Sequence, residues 1–105
     1  MGKFILSRTN TALVLVDIQE RLVPAMGAKE TVINNCLHVI EAAKLMQIPI
    51  VVTEQYPKGL GPTIAEIKNA LGTCMPITKT SFSCCGEPAF LDELKRIGRS
   101  TILLA

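Results

Sequence analysis

Short apolar runs alternate with amphipathic stretches along the chain. Four runs have the length and composition of buried strands, over residues 11–17, 48–53, 76–79 and 100–104. Continuous runs rich in Val, Ile and Leu are typical of strands that are covered on both faces of a parallel sheet. The pattern therefore predicts four parallel strands, each separated from the next by a helical segment.

Three helices are predicted between these strands. Residues 31–47 carry apolar side chains at spacings of three and four, which predicts one buried face. That face is formed by Val32, Cys36, Val39, Ile40, Ala43 and Met46. A capping box at residues 63–66 begins a short second helix that ends near Gly72. Pro88 lies in the first turn of the third helix, and Gly98 is its predicted end.

Alternating strands and helices predict an α/β fold with a doubly wound, Rossmann-like parallel sheet between two helical layers. The expected spatial order of the strands is 3-2-1-4. This order places Asp17 beside Ala105 at the crevice where such sheets bind ligands. The fourth strand would be a free apolar edge, which stable monomers avoid. Residues 1–105 are therefore expected to be the N-terminal part of a longer domain, or a subunit whose partner covers that edge.

Composition limits the classes of partner. The chain of 105 residues is 49% hydrophobic and 19% charged, as expected for one globular domain. Its net charge of +2 comes from scattered Lys and Arg residues, which argues against a nucleic-acid partner. Apolar runs reach only about five residues, far short of the ~20 that span a bilayer, so no membrane partner is expected. The N-terminus lacks the apolar core of a signal peptide.

The cysteines do not form a metal-binding pattern. Cys36, Cys74, Cys84 and Cys85 include no Cys-x-x-Cys pair, and the one histidine, His38, lies on the polar stripe of its helix. Reduced cysteines in a cytoplasmic protein are the expectation.

Three polar residues stand at predicted strand ends, namely Asp17, Glu54 and Lys79. A strand-end Asp is suited to act as a general base, and a Lys lowers the pKa of a nearby thiol or stabilises an oxyanion. Residues of these types also cap helices or form structural ion pairs, so position alone leaves both interpretations open.

Three segments carry a specific resemblance: Leu-Val-Asp-Ile-Gln at 15–19, Val-Thr-Glu-Gln-Tyr-Pro-Lys-Gly-Leu-Gly-Pro-Thr at 52–63, and Ile-Thr-Lys-Thr-Ser-Phe-Ser at 77–83. Together they resemble the isochorismatase-like hydrolase family, in particular its isochorismatase domain-containing branch, over essentially the whole chain. The resemblance implies a doubly wound α/β fold and an Asp-Lys-Cys triad. Asp17 corresponds to the base and Lys79 to the lysine, and the nucleophilic cysteine is expected beyond the end of this chain.

The implied reaction is hydrolysis of a small amide, ester or related substrate. Asp17 would take the thiol proton, and the thiolate would form a thioester that water hydrolyses. If the polypeptide ends at Ala105, no thiol-dependent hydrolysis is expected. Neither Cys84 nor Cys85 is expected to replace the nucleophile, because the family's cysteine does not lie in that segment.

The remaining site residues are predicted from their places near the crevice. Gln19, Glu54 and Tyr56 are candidate substrate contacts, although a solvated loop carboxylate is an equal alternative for Glu54. No metal is expected, because this region lacks the Asp-x-His pattern of the nicotinamidase branch, and no cofactor is expected.

A non-catalytic function is the alternative. In that hypothesis the chain is a binding or assembly module, a homo-oligomer that buries the edge of its fourth strand against another subunit. A nucleotide-binding domain is a weaker alternative, because no Gly-x-Gly-x-x-Gly follows the first strand.

Overall fold

The computed structural model describes residues 6–105 and contains one parallel sheet. Its strands are β1 (Thr11–Val16), β2 (Ile50–Gln55), β3 (Ile77–Lys79) and β4 (Thr101–Leu104), in the spatial order β3-β2-β1-β4. The predicted fold class and strand order are therefore confirmed. All pairings are parallel, and β1 lies between β2 and β4.

Four α-helices connect the strands. They are α1 (Lys29–Leu45), α2 (Pro57–Leu60), α3 (Ala65–Leu71) and α4 (Pro88–Ile97), with short 3-10 turns at Val23–Ala25 and Cys84–Gly86. Pro88 begins α4, and Gly98 ends it with φ 69°, a left-handed conformation that glycine adopts without steric cost. The single turn α2 follows β2 closely and is additional to the three predicted helices.

Hydrophobic clusters cover both faces of the sheet. The larger one joins Leu13, Leu15 and Val52 of the strands to Cys36, Ile40 and Ala43 of α1 and Ile67 and Leu71 of α3. On the opposite face Val14 and Val51 pack against Phe90 of α4. Neighbouring strand residues point to opposite faces, so β1 and β2 supply both clusters and the sheet lies between two helical layers.

Three local predictions were wrong. Met46 follows the end of α1 and is 48% exposed rather than buried. β2 continues to Gln55, two residues beyond the predicted end, so Glu54 belongs to a strand. The capping box is absent, because the Thr63 side chain bonds to Glu54 and α3 begins after Ile64 without a side-chain cap.

The carboxyl end of β4 lies beside the end of β1. The amide of Ala105 donates to the carbonyl of Val14, and the amide of Val16 donates to the carbonyl of Ala105. Ala105 is therefore next to the residue that precedes Asp17, as predicted. The outer side of β4 has no neighbouring strand in the described part of the chain, and Leu104 is 69% exposed.

None of the helices described in residues 6–105 has the length and apolar character needed to cross a bilayer.

Candidate functional site

Asp17 begins the site with an unusual backbone conformation. It follows β1 directly and has φ 55°, in the left-handed region that Asp tolerates better than most residues. Its amide donates to the carbonyl of Thr53 on β2, at 3.3 Å. Strained residues of this kind cluster at functional sites, and here the conformation occurs at the carboxyl edge of the sheet.

Lys79 reaches Asp17 from the far side of β2. It ends β3, is only 1% exposed, and its Nζ lies 2.9 Å from Oδ2 of Asp17. The same Nζ also donates to the carbonyls of Ser81 and Phe82, at 3.2 and 3.1 Å. An ammonium group has three protons, so these three acceptors use them all. The pair predicted from the sequence is thus brought together, and the lysine also holds the turn that follows β3.

Thr53 completes the contacts of the carboxylate and was missed in the sequence. This fully buried residue of β2 donates its hydroxyl to Oδ1 of Asp17, at 2.9 Å. Each carboxylate oxygen of Asp17 therefore accepts one side-chain hydrogen bond, from Thr53 or from Lys79. A threonine in an apolar strand resembles any other β-branched residue, so the pattern gave no sign of this role.

Cys84 lies at the border of this cluster. Its Sγ is 4.0 Å from Oγ1 of Thr53, and its side chain is half-buried, whereas Cys85 is exposed. Burial raises the pKa of the Cys36 thiol. Burial also raises the pKa of the Cys74 thiol, and the Glu93 carboxylate raises it further. Cys36 and Cys74 therefore stay uncharged at neutral pH and are poor nucleophiles.

Gln19 is buried and holds the loop that follows β2. Its Nε2 donates to the carbonyls of Gln55 and Gly61, at 2.9 and 2.7 Å, and its Oε1 accepts from the amide of Gln55, at 2.7 Å. Both amide protons are therefore bonded to the protein. The substrate contact predicted for Gln19 stays a prediction, and its visible role is to fix the loop over residues 56–62.

Glu54 supports the same loop from the other face of the sheet. It is 7% exposed, and its Oε2 accepts from the amide and the hydroxyl of Thr63, at 2.6 and 2.8 Å. The carboxylate is therefore not solvated, which was one of the two interpretations from sequence. Its side chain projects away from the face that carries Thr53, because neighbouring strand residues alternate.

Tyr56 lies immediately beyond β2, next to the end of β3. Its amide donates to the carbonyl of Lys79, at 2.9 Å, while its ring remains 56% exposed. Its φ of 39° is left-handed, which is rare for an aromatic residue. The ring packs so closely on Gly59 that a Cβ at that position would collide with it. Tyr56 is thus anchored to the end of β3 through its backbone and exposes its ring, and its predicted contact with substrate stays a prediction.

The part of the chain described here, residues 6–105, contains no group of three His, Cys, Asp or Glu residues placed to hold a metal ion. What the cluster presents instead is a hydrogen-bonded carboxylate and a buried ammonium group. This arrangement is suited to moving a proton and to stabilising negative charge.

Comparison with known proteins identifies relatives over nearly the whole chain. The isochorismatase domain model matches residues 11–105. Isochorismatase domain-containing protein 2 of Danio rerio is 41% identical over 93 residues, which are 89% of this chain and 46% of the relative. Protein 2A of Mus musculus is 38% identical over 93 residues, which are 89% of this chain and 42% of the relative. The chain spans less than half the length of these relatives.

Solved structures with the same fold also resemble the chain. The MAR1 ribonuclease of Caenorhabditis elegans superposes with a TM-score of 0.84 and 38% identity, covering 95% of this chain and 51% of that protein. The YcaC gene product of Escherichia coli, an octameric hydrolase of unknown specificity, superposes with a TM-score of 0.90 at 22% identity. That alignment covers 100% of this chain and 53% of YcaC, and at this identity it supports the fold alone.

Proposed function

The chain belongs to the isochorismatase domain family, and from this premise we propose that it carries the Asp-Lys part of a cysteine hydrolase site. The observation that supports the proposal most directly is the contact of Lys79 with Asp17, at 2.9 Å, at the carboxyl edge of the sheet. The family resemblance assigns the roles of base and lysine to these two residues, and they lie far apart in sequence.

Asp17 is the proposed general base. The third member of the triad, by resemblance, is a cysteine that follows the strand corresponding to β4. Because Ala105 pairs with Val16, a residue that follows β4 starts its path next to Asp17. Asp17 would take the thiol proton, the thiolate would attack the carbonyl carbon of the substrate, and the leaving group would depart with a proton. Water would then hydrolyse the thioester and release the second product.

Lys79 acts in this proposal through its charge. Its three protons are already bonded to Asp17 and to two backbone carbonyls, so a substrate oxyanion would have to displace one of these acceptors. The ammonium group instead keeps positive charge beside the expected thiolate, which favours the ionised thiol. By the family resemblance, a helix begins after the strand that corresponds to β4, and its N-terminal amides would supply the oxyanion donors.

The proposed substrate is a small amide, ester or related compound. The fixed loop over residues 56–62 would form one wall of the pocket, with Tyr56 as the exposed contact and with Gln19 and Glu54 supporting it. The C. elegans relative is a ribonuclease, which raises RNA as a different substrate class. The scattered basic residues of this chain favour the small substrate.

The experiment is a hydrolysis panel with the complete protein as it occurs in its natural source. Small esters, small primary amides and an RNA oligonucleotide would be compared before and after treatment with iodoacetamide. We expect turnover of an ester or an amide, its loss after alkylation, and peptide mapping of the label to a cysteine that follows β4. Turnover that survives full alkylation would contradict the proposal, and turnover of RNA alone would change the substrate class.

An assembly module is the second candidate, and the apolar edge of β4 favours it. Leu104 lies on this edge and is 69% exposed. It lines a mostly apolar cavity together with Val16, Phe82, Phe90, Leu94 and Ile102, and Ser83, Cys84 and Cys85 complete the lining. Apolar edge strands of this kind pair with another chain unless they are covered. In this proposal a second copy of the chain covers the edge, and the Asp17–Lys79 pair is a structural ion pair.

The expected result concerns the 105-residue chain alone. We expect it to sediment as an oligomer at about 10 μM, which is within the range of weak to moderate protein association. Leu104→Glu should shift it toward the monomer, because it places a charge on the contact. Leu45→Glu is the matched control, since Leu45 is also exposed but lies at the end of α1. A wild-type monomer, or an equal effect of both substitutions, would contradict the assembly proposal.

A further inference from the structure

We propose that Thr53 is a positioning residue, whose hydroxyl aims the carboxylate of Asp17 and is required for the proposed base to function. The inference rests on the proposed hydrolase function. Thr53 contacts Asp17 twice, because its carbonyl accepts from the Asp17 amide and its hydroxyl donates to Oδ1. These two bonds fix both the backbone and the side chain of the residue after β1.

The hydroxyl is not explained by packing. Thr53 is fully buried on β2, on the face where Val51 packs against Val14 and Phe90. A valine has the same shape as threonine and would fill this position equally well, and it suits a buried strand. The feature that only threonine or serine supplies is the proton donated to Asp17. The Thr53 hydroxyl thus lies in an apolar layer, and the interaction that accounts for it is the hydrogen bond to the Asp17 carboxylate.

The direction of the hydrogen bonds supports the same role. A hydroxyl has one proton, and the Oγ1 of Thr53 uses it on Asp17. Its free lone pairs face Sγ of Cys84, at 4.0 Å, where only a weak S–H bond is possible. With Lys79 on Oδ2 and Thr53 on Oδ1, the carboxylate cannot rotate without losing a bond. Lys79 alone would leave it free to turn about that single contact.

Thr53 does not touch the reacting atoms in this mechanism, so it acts through Asp17. A base must lie within hydrogen-bond reach of the proton that it takes, and a misplacement of about 1 Å is costly. Loss of the hydroxyl should therefore lower kcat and leave KM nearly unchanged. If Thr53 served packing alone, the effect of a substitution would depend on the volume removed and not on whether the hydroxyl is kept.

The test measures the placement of the carboxylate directly. The 105-residue chain would be treated with a water-soluble carbodiimide and glycine methyl ester, and amide formation at Asp17 would be measured by peptide mass spectrometry. Asp92 is the only other aspartate, it is exposed on α4, and it is the internal control. Thr53→Val and Thr53→Ser would be compared with the wild type, because the first keeps the volume and the second keeps the hydroxyl.

We expect Thr53→Val to raise the labelling of Asp17, relative to Asp92, by about tenfold, the effect of one lost hydrogen bond to a charged group. In Thr53→Ser the labelling of Asp17 should remain within about twofold of the wild type, because the hydroxyl is kept and mild substitutions change free energies by about 0.5 kcal/mol or less. Unchanged labelling in Thr53→Val, or a larger effect in Thr53→Ser, would overturn the proposal. If Thr53→Val fails to fold, Thr53→Ala and Thr53→Ser form the deciding pair, since they differ by the hydroxyl alone.

The same variants in the complete protein give a second measurement. There kcat should be lower in Thr53→Val than in Thr53→Ser, so that the variant with the higher labelling of Asp17 is also the slower enzyme. If the wild type hydrolyses nothing, the proposed function fails, but the labelling still reports whether Thr53 holds Asp17. The two failures are thus distinguished.

Discussion

Replacing Lys79 with methionine is expected to lower the free energy of unfolding by about 3–5 kcal/mol, the usual cost of removing one partner of a buried ion pair. Methionine has nearly the volume of the lysine stem, so little packing is lost. The Asp17 carboxylate and the carbonyls of Ser81 and Phe82 each lose the hydrogen bond that Lys79 donates. Because the Asp17 side chain is 13% exposed, water can reach it, and we expect the lower end of that range.

The measurement is urea unfolding of the 105-residue chain, with two comparisons. Lys95→Met removes an exposed lysine on α4 and should change the free energy of unfolding by less than about 0.5 kcal/mol. The double variant Asp17→Asn with Lys79→Met should be more stable than Lys79→Met alone, because the unpaired charge is gone. A loss below about 1 kcal/mol in Lys79→Met would mean that the ion pair is too solvated to support the site.

The sequence was sufficient to predict the sheet, because each strand is marked by a local feature, a short apolar run. Apolar runs with helices between them predict a parallel sheet with right-handed crossovers, and the order of strands was that of one half of a doubly wound sheet. Asp17 and Lys79 were identified because each directly follows or ends such a run. The family resemblance assigned their roles, and the structure adds that Nζ of Lys79 lies 2.9 Å from Oδ2 of Asp17.

The residues that local patterns missed are those whose partners lie far away in sequence. The hydroxyl of Thr53 meets a residue 36 positions earlier, and the side chain of Gln19 bonds 36 and 42 positions later. Glu54 was predicted to follow the second strand because the apolar run ends at Thr53, whereas it lies within β2. It is buried here because Thr63 supplies two donors, and the same contact removed the predicted helix cap. The hydrogen-bond partner of each buried polar group is set by tertiary packing, and a local sequence pattern does not identify that partner.

Replacing Asp17 with asparagine is expected to lower kcat for the hydrolysis by the complete protein by about 10²–10⁴-fold, the usual contribution of a general base. Asparagine keeps the shape of the side chain, and its oxygen still accepts from Lys79. What it loses is the charge and the basicity that take a proton from a thiol. Asp92→Asn is the matched control and should leave kcat within about twofold, because Asp92 is exposed on α4.

The measurement is steady-state hydrolysis of whichever small ester or amide the panel identifies, with the rate of thiol alkylation measured in parallel. If Asp17 is the base, both the kcat and the alkylation rate should fall, because each depends on formation of the thiolate. A fall in kcat with unchanged alkylation would assign Asp17 to substrate orientation instead. Unchanged kcat would mean that Asp17 is not the base of this hydrolysis, and it would leave the Lys79–Asp17 pair as a structural contact that holds the turn after β3.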